Sequence, residues 1–354
     1  MDIVRETLGS GWGAAVGIVL LLTVAAALVL RRRARWIAVS MLAVGAGAVL
    51  SIAVSEARPR VAANQVRIAA EAFLIHGRAA ISIGEDAQAS EALDQAETRF
   101  RAVSAREGIA RVDVARGDLA RLEGRLEEAR IRYASAAARL SQTSQPDASW
   151  ARLRAGLMEQ ALEDNDAAHR SFEQAASSFA TAGIAAGEAE ARLALGGLAR
   201  RAGAYAEAVR NLRDAARLFA SDRRGRGRAI LELAWVSQSL RHNEEALSLV
   251  AEAETLFADG DARFGLVLTP FVEAEMAIED EFGVVAFGAI DRAEEVLDGF
   301  ADPVVAAAAF LGLPPVAVRS RDAFPEYQAE ARTLVARARY LIERGRNQAD
   351  AVQQ

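Results

Sequence analysis

The sequence predicts an all-α protein: a solenoid of about six helix-turn-helix repeats preceded by two transmembrane helices. Three observations predict it. Small and large apolar residues recur with a period near 40 residues, two long runs near the N-terminus carry no charge, and alanine, leucine, arginine and glutamate, all good helix formers, dominate the rest.

The repeat is clearest in residues 195–219, where Gly196, Gly203, Ala208 and Ala215 alternate with Leu195, Tyr205, Leu212 and Leu218. This reads as two short helices folded on each other, with small residues where they cross. Taking Gly196 as a marker, the same environment recurs at Gly77, Gly117, Gly156, Ala234 and Ala274. The six markers are spaced 40, 39, 40, 38 and 40 residues apart. Twelve residues beyond each marker stand Ala89, Ala129, Ala168, Ala208, Ala246 and Ala286, and nineteen beyond stand Ala96, Ala136, Ala175, Ala215, Ala253 and Ala293. Between these rows lie Leu93, Tyr133, Phe172, Leu212, Val250 and Ile290, so small, large, small at helical spacing defines the second helix of every unit. One helix pair cannot bury its own apolar face, and the copies must therefore stack.

On these residues the chain resembles the tetratricopeptide repeat (TPR) family, in a variant of roughly 40 residues where the standard unit has 34. Residues 117–136 match the family order of small residue, turn glycine, alanine, aromatic and alanine most closely. Seven residues beyond the markers, where the family places its turn glycine, stand Gly84, Gly124, Glu163, Gly203, Arg241 and Glu281. Where the glycine is lost, Asp164-Asn165-Asp166 and His242-Asn243 supply residues that tolerate the left-handed conformation, and the turn is expected there. The resemblance covers residues 65–300.

Before the array, residues 12–30 and 36–54 are uncharged and each long enough to span about 28 Å as a helix. They read as a transmembrane hairpin within residues 1–60, and lipid is the expected partner of residues 12–54. A cleaved signal peptide is the competing account of the first run, although arginines stand where a small-residue cleavage site belongs. Arg31, Arg32, Arg33 and Arg35 fill the connecting loop, which the positive-inside rule keeps in the cytoplasm. The expected location is therefore the bacterial inner membrane, multi-pass, with the repeats in the periplasm. Trp12 and Trp36 sit at the expected interfaces. Gly13 with Gly17, and Ala43 with Gly47 and Ser51, form small-residue rows that suit packing within the hairpin or, as a homo-oligomer, between two hairpins. Pro59 interrupts the passage into the first repeat.

After residue 300 the register fails. Residues 301–354 read as an incomplete seventh unit, broken at Leu313-Pro314-Pro315, and a capping helix from Pro325 to about Arg344, stopped by Gly345 and frayed from residue 347. Arg332, Arg337, Arg339 and Arg344 supply its polar outer face.

Composition excludes much chemistry. The chain contains no lysine, so a Schiff-base lysine and a GxxxxGK[ST] phosphate loop are both excluded. It contains no cysteine, and its three histidines, His76, His169 and His242, fall in different units without ligand spacing. No metal or cofactor is expected. The net charge is −6 and the first sixty residues are basic, so the array is more acidic still, which argues against nucleic acid as a partner. The one basic cluster, Arg223, Arg224, Arg226 and Arg228, reads as a solvated loop between units, or alternatively as an anion patch. Acidic pairs such as Glu127-Glu128, Glu244-Glu245 and Glu294-Glu295 read as solvated faces, so no catalytic residue is assigned.

In the family it resembles, the first helices of successive units line a groove that receives a peptide or partner helix. Carried over by marker offset, this points to Arg121, Gln160, Arg200 and Gln238, four residues beyond their markers, and to Asp118, Trp235 and Glu275, one beyond. It also points to Arg111, Trp150 and Arg228, six before. The tryptophans equally suit packing between units. The expected function is a membrane-anchored scaffold presenting a protein- or peptide-binding groove. The alternative is a structural subunit of an envelope complex that assembles through its hairpin.

Overall fold

The computed structural model describes residues 60–258, 262–279, 283–303, 306–307 and 329–353. It divides into two compact units, Met1–Val66 and Arg67–Gln354, and the account that follows concerns the second. The two uncharged runs, Pro59, Glu281 and the prolines at 314, 315 and 325 all lie outside the described residues. Within the described residues no helix is long and apolar enough to cross a membrane.

All secondary structure among the described residues is helical. Unit 1 pairs α1 (residues 60–83) with α2 (Asp86–Ala102), and unit 2 pairs α3 (Arg106–Leu122) with α4 (Leu126–Leu140). Units 3 and 4 comprise α5 (Gln145–Ala161), α6 (Asn165–Ala182), α7 (Ala185–Arg201) and α8 (Tyr205–Phe219). Unit 5 is α9 (Arg223–Ser239) with α10 (Asn243–Phe257). In unit 6 the first helix is broken into α11 (Gly265–Leu268) and α12 (Pro270–Glu279), followed by α13 (Gly283–Asp298). The break falls at Pro270, which has no N–H to continue the ladder.

Every marker lies in a first helix, and the small-large-small rows lie in the second helices with their described members buried. The physical reason is visible at each crossing. A Cβ on Gly117 would lie 2.7 Å from the Tyr133 ring, one on Gly156 2.7 Å from Phe172, and one on Gly196 2.5 Å from Leu212. The large residue of the second helix therefore rests on backbone.

A second socket, unseen in the sequence reading, joins one unit to the next. Nine residues before the markers, Gly108, Gly187, Gly225 and Gly265 receive the rings of Phe100, Phe179, Phe219 and Phe257, which end the preceding second helices; a Cβ there would lie 2.3–2.5 Å from the ring. Where unit 3 has Asp147 at that position, the preceding helix ends in the smaller Leu140. Glycine and phenylalanine thus occur together, and both are absent together.

The turns correct one expectation. At the two described turns without glycine, the left-handed residue is Glu163 (φ 64°) or Arg241 (φ 61°), at the glycine position itself. The neighbouring Asn165 and Asn243 already begin helices. Asp164 instead caps the next helix, its carboxylate accepting from the Ala167 N–H at 3.1 Å. The turn is dictated by the closing bonds: Asp164 N–H donates to Glu159 O and His242 N–H to Ser237 O, as Ala204 N–H does to Ala199 O in the glycine turn. Glu163→Gly and Arg241→Gly, which relieve this strain, are expected to raise stability by about 0.5–1 kcal/mol each, measured as an upward shift of the urea midpoint.

Two further expectations change. The basic cluster at 223–228 is the start of α9, not a loop: Asp222 caps the helix by accepting from the Gly225 N–H at 3.0 Å, and Gly225 and Gly227 are there to admit Phe219 and Phe257. At the C-terminus, the helix α14 (Ala329–Gln353) runs through Gly345 instead of stopping there. Gly345 sits inside the helix because Ile290 presses on it, 2.8 Å from where a Cβ would be. With Val335, Ala338 and Ile342 it forms a buried stripe at helical spacing, while Arg339 and Arg344 face solvent.

Candidate functional site

On the first helices, where the expected binding residues lie, the structure shows a ladder of polar contacts between successive units. Six residues before the marker, Glu71 accepts two hydrogen bonds from Arg111, at 2.7 and 3.1 Å, and Glu190 accepts from Arg228 at 3.3 Å. Arg154 Nη1 reaches Asp118 at 3.3 Å, Arg200 Nε donates to Glu232 at 2.7 Å, and Gln238 Nε2 donates to Glu279 at 3.1 Å. Asp118 also accepts from the Tyr133 hydroxyl at 2.7 Å, which ties the ladder to the core of unit 2. Burial, and then the negative charge of Asp118, pushes the Tyr133 hydroxyl pKa up.

Most of the expected binding residues therefore touch other units. Arg111, Arg200 and Arg228 hold carboxylates of adjacent units, and Gln238 is buried. Arg121 and Gln160 are half-buried on the same rows. Trp150 meets the Phe179 ring edge-on at 4.9 Å between centroids, and Trp235 is half-buried against the cluster of units 4 to 6. Both tryptophans pack, and both retain some exposure. Leu157, one residue beyond the unit 3 marker, is 41% exposed and lies in the row of Asp118 and Trp235. The ladder partners Glu71, Arg154, Glu190, Glu232 and Glu279 were missed. Their signal was opposite charge at separations near one repeat, such as Glu71 with Arg111. Half-exposed pairs of this kind contribute at most about 1 kcal/mol each.

The basic cluster is likewise engaged: Arg226 pairs with Glu252 at 2.7 Å, and Arg223 donates to the Thr255 carbonyl at 2.9 Å. The acidic pairs sit in surface ion pairs, Glu127 with Arg130, Glu128 with Arg125, Glu245 with Arg213, and Glu294 with Arg346. Among the described residues no group of three His, Asp or Glu side chains gathers as a metal site.

Among the described residues three carboxylates have raised pKa values, chiefly through burial: Asp113 on α3, and Glu273 and Glu275 two residues apart on α12. Asp113 is opposed by Arg139 and Arg132, Glu273 by Arg292, and Glu275 by Arg344 with Glu279 adding to the rise. For Asp113 the consequence for stability has a definite sign. Its folded pKa lies above the unfolded one, so as pH falls through the folded value the folded state takes up the proton first. The site then favours folding, most fully below the unfolded pKa, and gives no such gain at neutral pH. Asp113→Asn should remove this gain, so the variant loses ground against the parent as pH is lowered from 7 to 4, read from urea midpoints.

No protein-family model and no curated protein matches the sequence. Solved structures do match in fold. The apo form of RapI matches with TM-score 0.59 and 13% identity, covering 78% of this chain and 99% of that one. A structure of pilF from Pseudomonas aeruginosa matches with TM-score 0.50 and 14% identity, over 68% and 95%. BtubC (BKLC) from P. vanneervenii gives 0.50 and 14%, over 62% and 92%. At these identities the likeness is one of fold, and the fold is a TPR-like helical repeat.

Proposed function

We propose that the chain is a membrane-anchored scaffold that binds a protein or peptide along its first helices on the periplasmic side, and that it acts by binding, without catalysis. The observation that carries this reading is the ladder: polar and aromatic side chains of successive first helices share one set of rows, half-exposed, with Leu157 open among them. Such a surface offers hydrogen-bond groups and an apolar contact over several units, which suits an extended segment better than a small molecule. The TPR-like fold supports the same reading. The anchor rests on the two uncharged runs, and the side of the membrane on the arginines between them.

The second reading, assembly through the hairpin, is separated by one experiment. Partners are cross-linked in membranes and purified with the full chain and with a chain lacking residues 1–60. Capture of the same partner by the shortened chain supports the first-helix surface; loss of it with the shortened chain still folded supports the hairpin.

A further inference from the structure

The first helix breaks the stacking rule of the array. Inner units receive the preceding unit at a glycine nine residues before the marker, or at Asp147 with a smaller neighbour. Unit 1 has Ile68 there, 61% exposed. Ala72 and Ala79 are also exposed, although their counterparts in unit 2, Val112 and Leu119, are buried. Ile75, 66% exposed, completes a stripe of 68, 72, 75 and 79 on the side of α1 opposite the buried Ala70, Leu74 and Gly77. The exposed face of the C-terminal helix carries Arg339, Glu343 and Arg344 beside Tyr340, whereas the exposed stripe of α1 carries isoleucines and alanines. Ile68 occupies the space that a phenylalanine ring takes at the glycine sockets.

Charge selects the occupant. Arg67 and Arg78 are exposed on one flank of the stripe, Arg67 while also engaged within the chain. The one carboxylate of this helix from residue 67 to 83, Glu71, has both oxygens held by Arg111. In a chain of net charge −6, an apolar face with an arginine rim is the pattern of a helix lying in a lipid headgroup layer. The chain length agrees: Val54, the end of the second uncharged run, precedes the start of α1 at residue 60 by six residues, about 20 Å at full extension, and Arg67 lies about 10 Å further along the helix.

We propose that the outer face of residues 68–79 rests on the anionic phospholipid headgroups of the membrane that anchors the chain, with Ile68 and Ile75 entering the interface and Arg67 and Arg78 meeting phosphates. This rests on the anchoring reading above.

The absence of cysteine from the sequence makes single labels specific. The full chain is reconstituted in phosphatidylcholine vesicles with and without phosphatidylglycerol, carrying an environment-sensitive fluorophore at Ile75→Cys, Ile131→Cys or Val44→Cys, with headgroup- or tail-nitroxide lipids as quenchers. The Ile75 label should shift to the blue and lose emission to headgroup nitroxides when phosphatidylglycerol is present. That loss should vanish on adding Arg67→Glu and Arg78→Glu, while the Ile131 label, on exposed α4 surface, stays unquenched. Tail quenching at Val44 with a water-like Ile75 label overturns the proposal and leaves the anchor standing. No quenching at either position overturns both. A blue-shifted Ile75 label that no lipid quenches means that protein covers the stripe, either a second copy or the chain's own N-terminal segment, and overturns it. Equal quenching without phosphatidylglycerol removes the anionic headgroup from the proposal and overturns it as stated.

Discussion

Replacing Gly187 with alanine is expected to destabilise the protein by about 1–3 kcal/mol, although alanine is the better helix former by about 1 kcal/mol. The added Cβ would lie 2.5–2.7 Å from three atoms of the Phe179 ring. That ring is fully buried and held edge-on against Trp150, so it has nowhere to retreat. Two controls fix the interpretation. Gly288→Ala adds a methyl group in a helix with nothing within 4 Å, and should stabilise by up to about 1 kcal/mol. Gly187→Ala combined with Phe179→Leu should recover part of the loss, because the chain already contains that solution at Leu140 and Asp147. Chemical denaturation of the four proteins measures all of this.

The largest loss is expected from Phe257→Ala, about 3–5 kcal/mol. The Phe257 ring lies between two glycines: a Cβ on Gly227 or on Gly265 would each come within 2.4 Å of it. Truncation therefore empties a cavity walled by backbone, and no flexible side chain lines those two sides to refill it. Because an array is coupled mainly between neighbours, the loss should fall on units 5 and 6. Hydrogen exchange should show protection lost across residues 223–298 while α3 to α6 keep theirs. A uniform loss along the whole array would mean that the units are coupled more tightly than nearest-neighbour contacts allow.

Much of this architecture was legible in the sequence. The markers and the rows twelve and nineteen residues beyond them fall in first and second helices because each small residue answers a specific large one, a requirement that leaves a trace at fixed spacing. The inter-unit socket left the same kind of trace at Gly108, Gly187, Gly225 and Gly265, but a reading centred on one helix pair does not look across to the next. The turns at Glu163 and Arg241 were misplaced by one or two residues. Residue preference pointed to the asparagines, whereas the hydrogen bonds that close the helix set the position. Gly345 read as a stop because glycine commonly ends helices, yet it serves to admit Ile290. The binding surface was the least legible part. Arginines at groove positions look available when each helix is read alone, whereas comparison across one repeat sets Glu71, Glu190 and Glu232 against Arg111, Arg228 and Arg200, and the three-dimensional register makes the contacts.

The most direct test of the proposed binding surface is site-specific photo-crosslinking in native membranes, with a photoreactive amino acid placed singly at Leu157 or Gln160 on the first-helix face, or at Ile131 or Leu247 on exposed second-helix surface. The account predicts the same protein adduct from Leu157 and Gln160 and none from Ile131 and Leu247. Adducts from the second helices alone, or none from any of the four positions while the chain remains folded in the membrane, would contradict it.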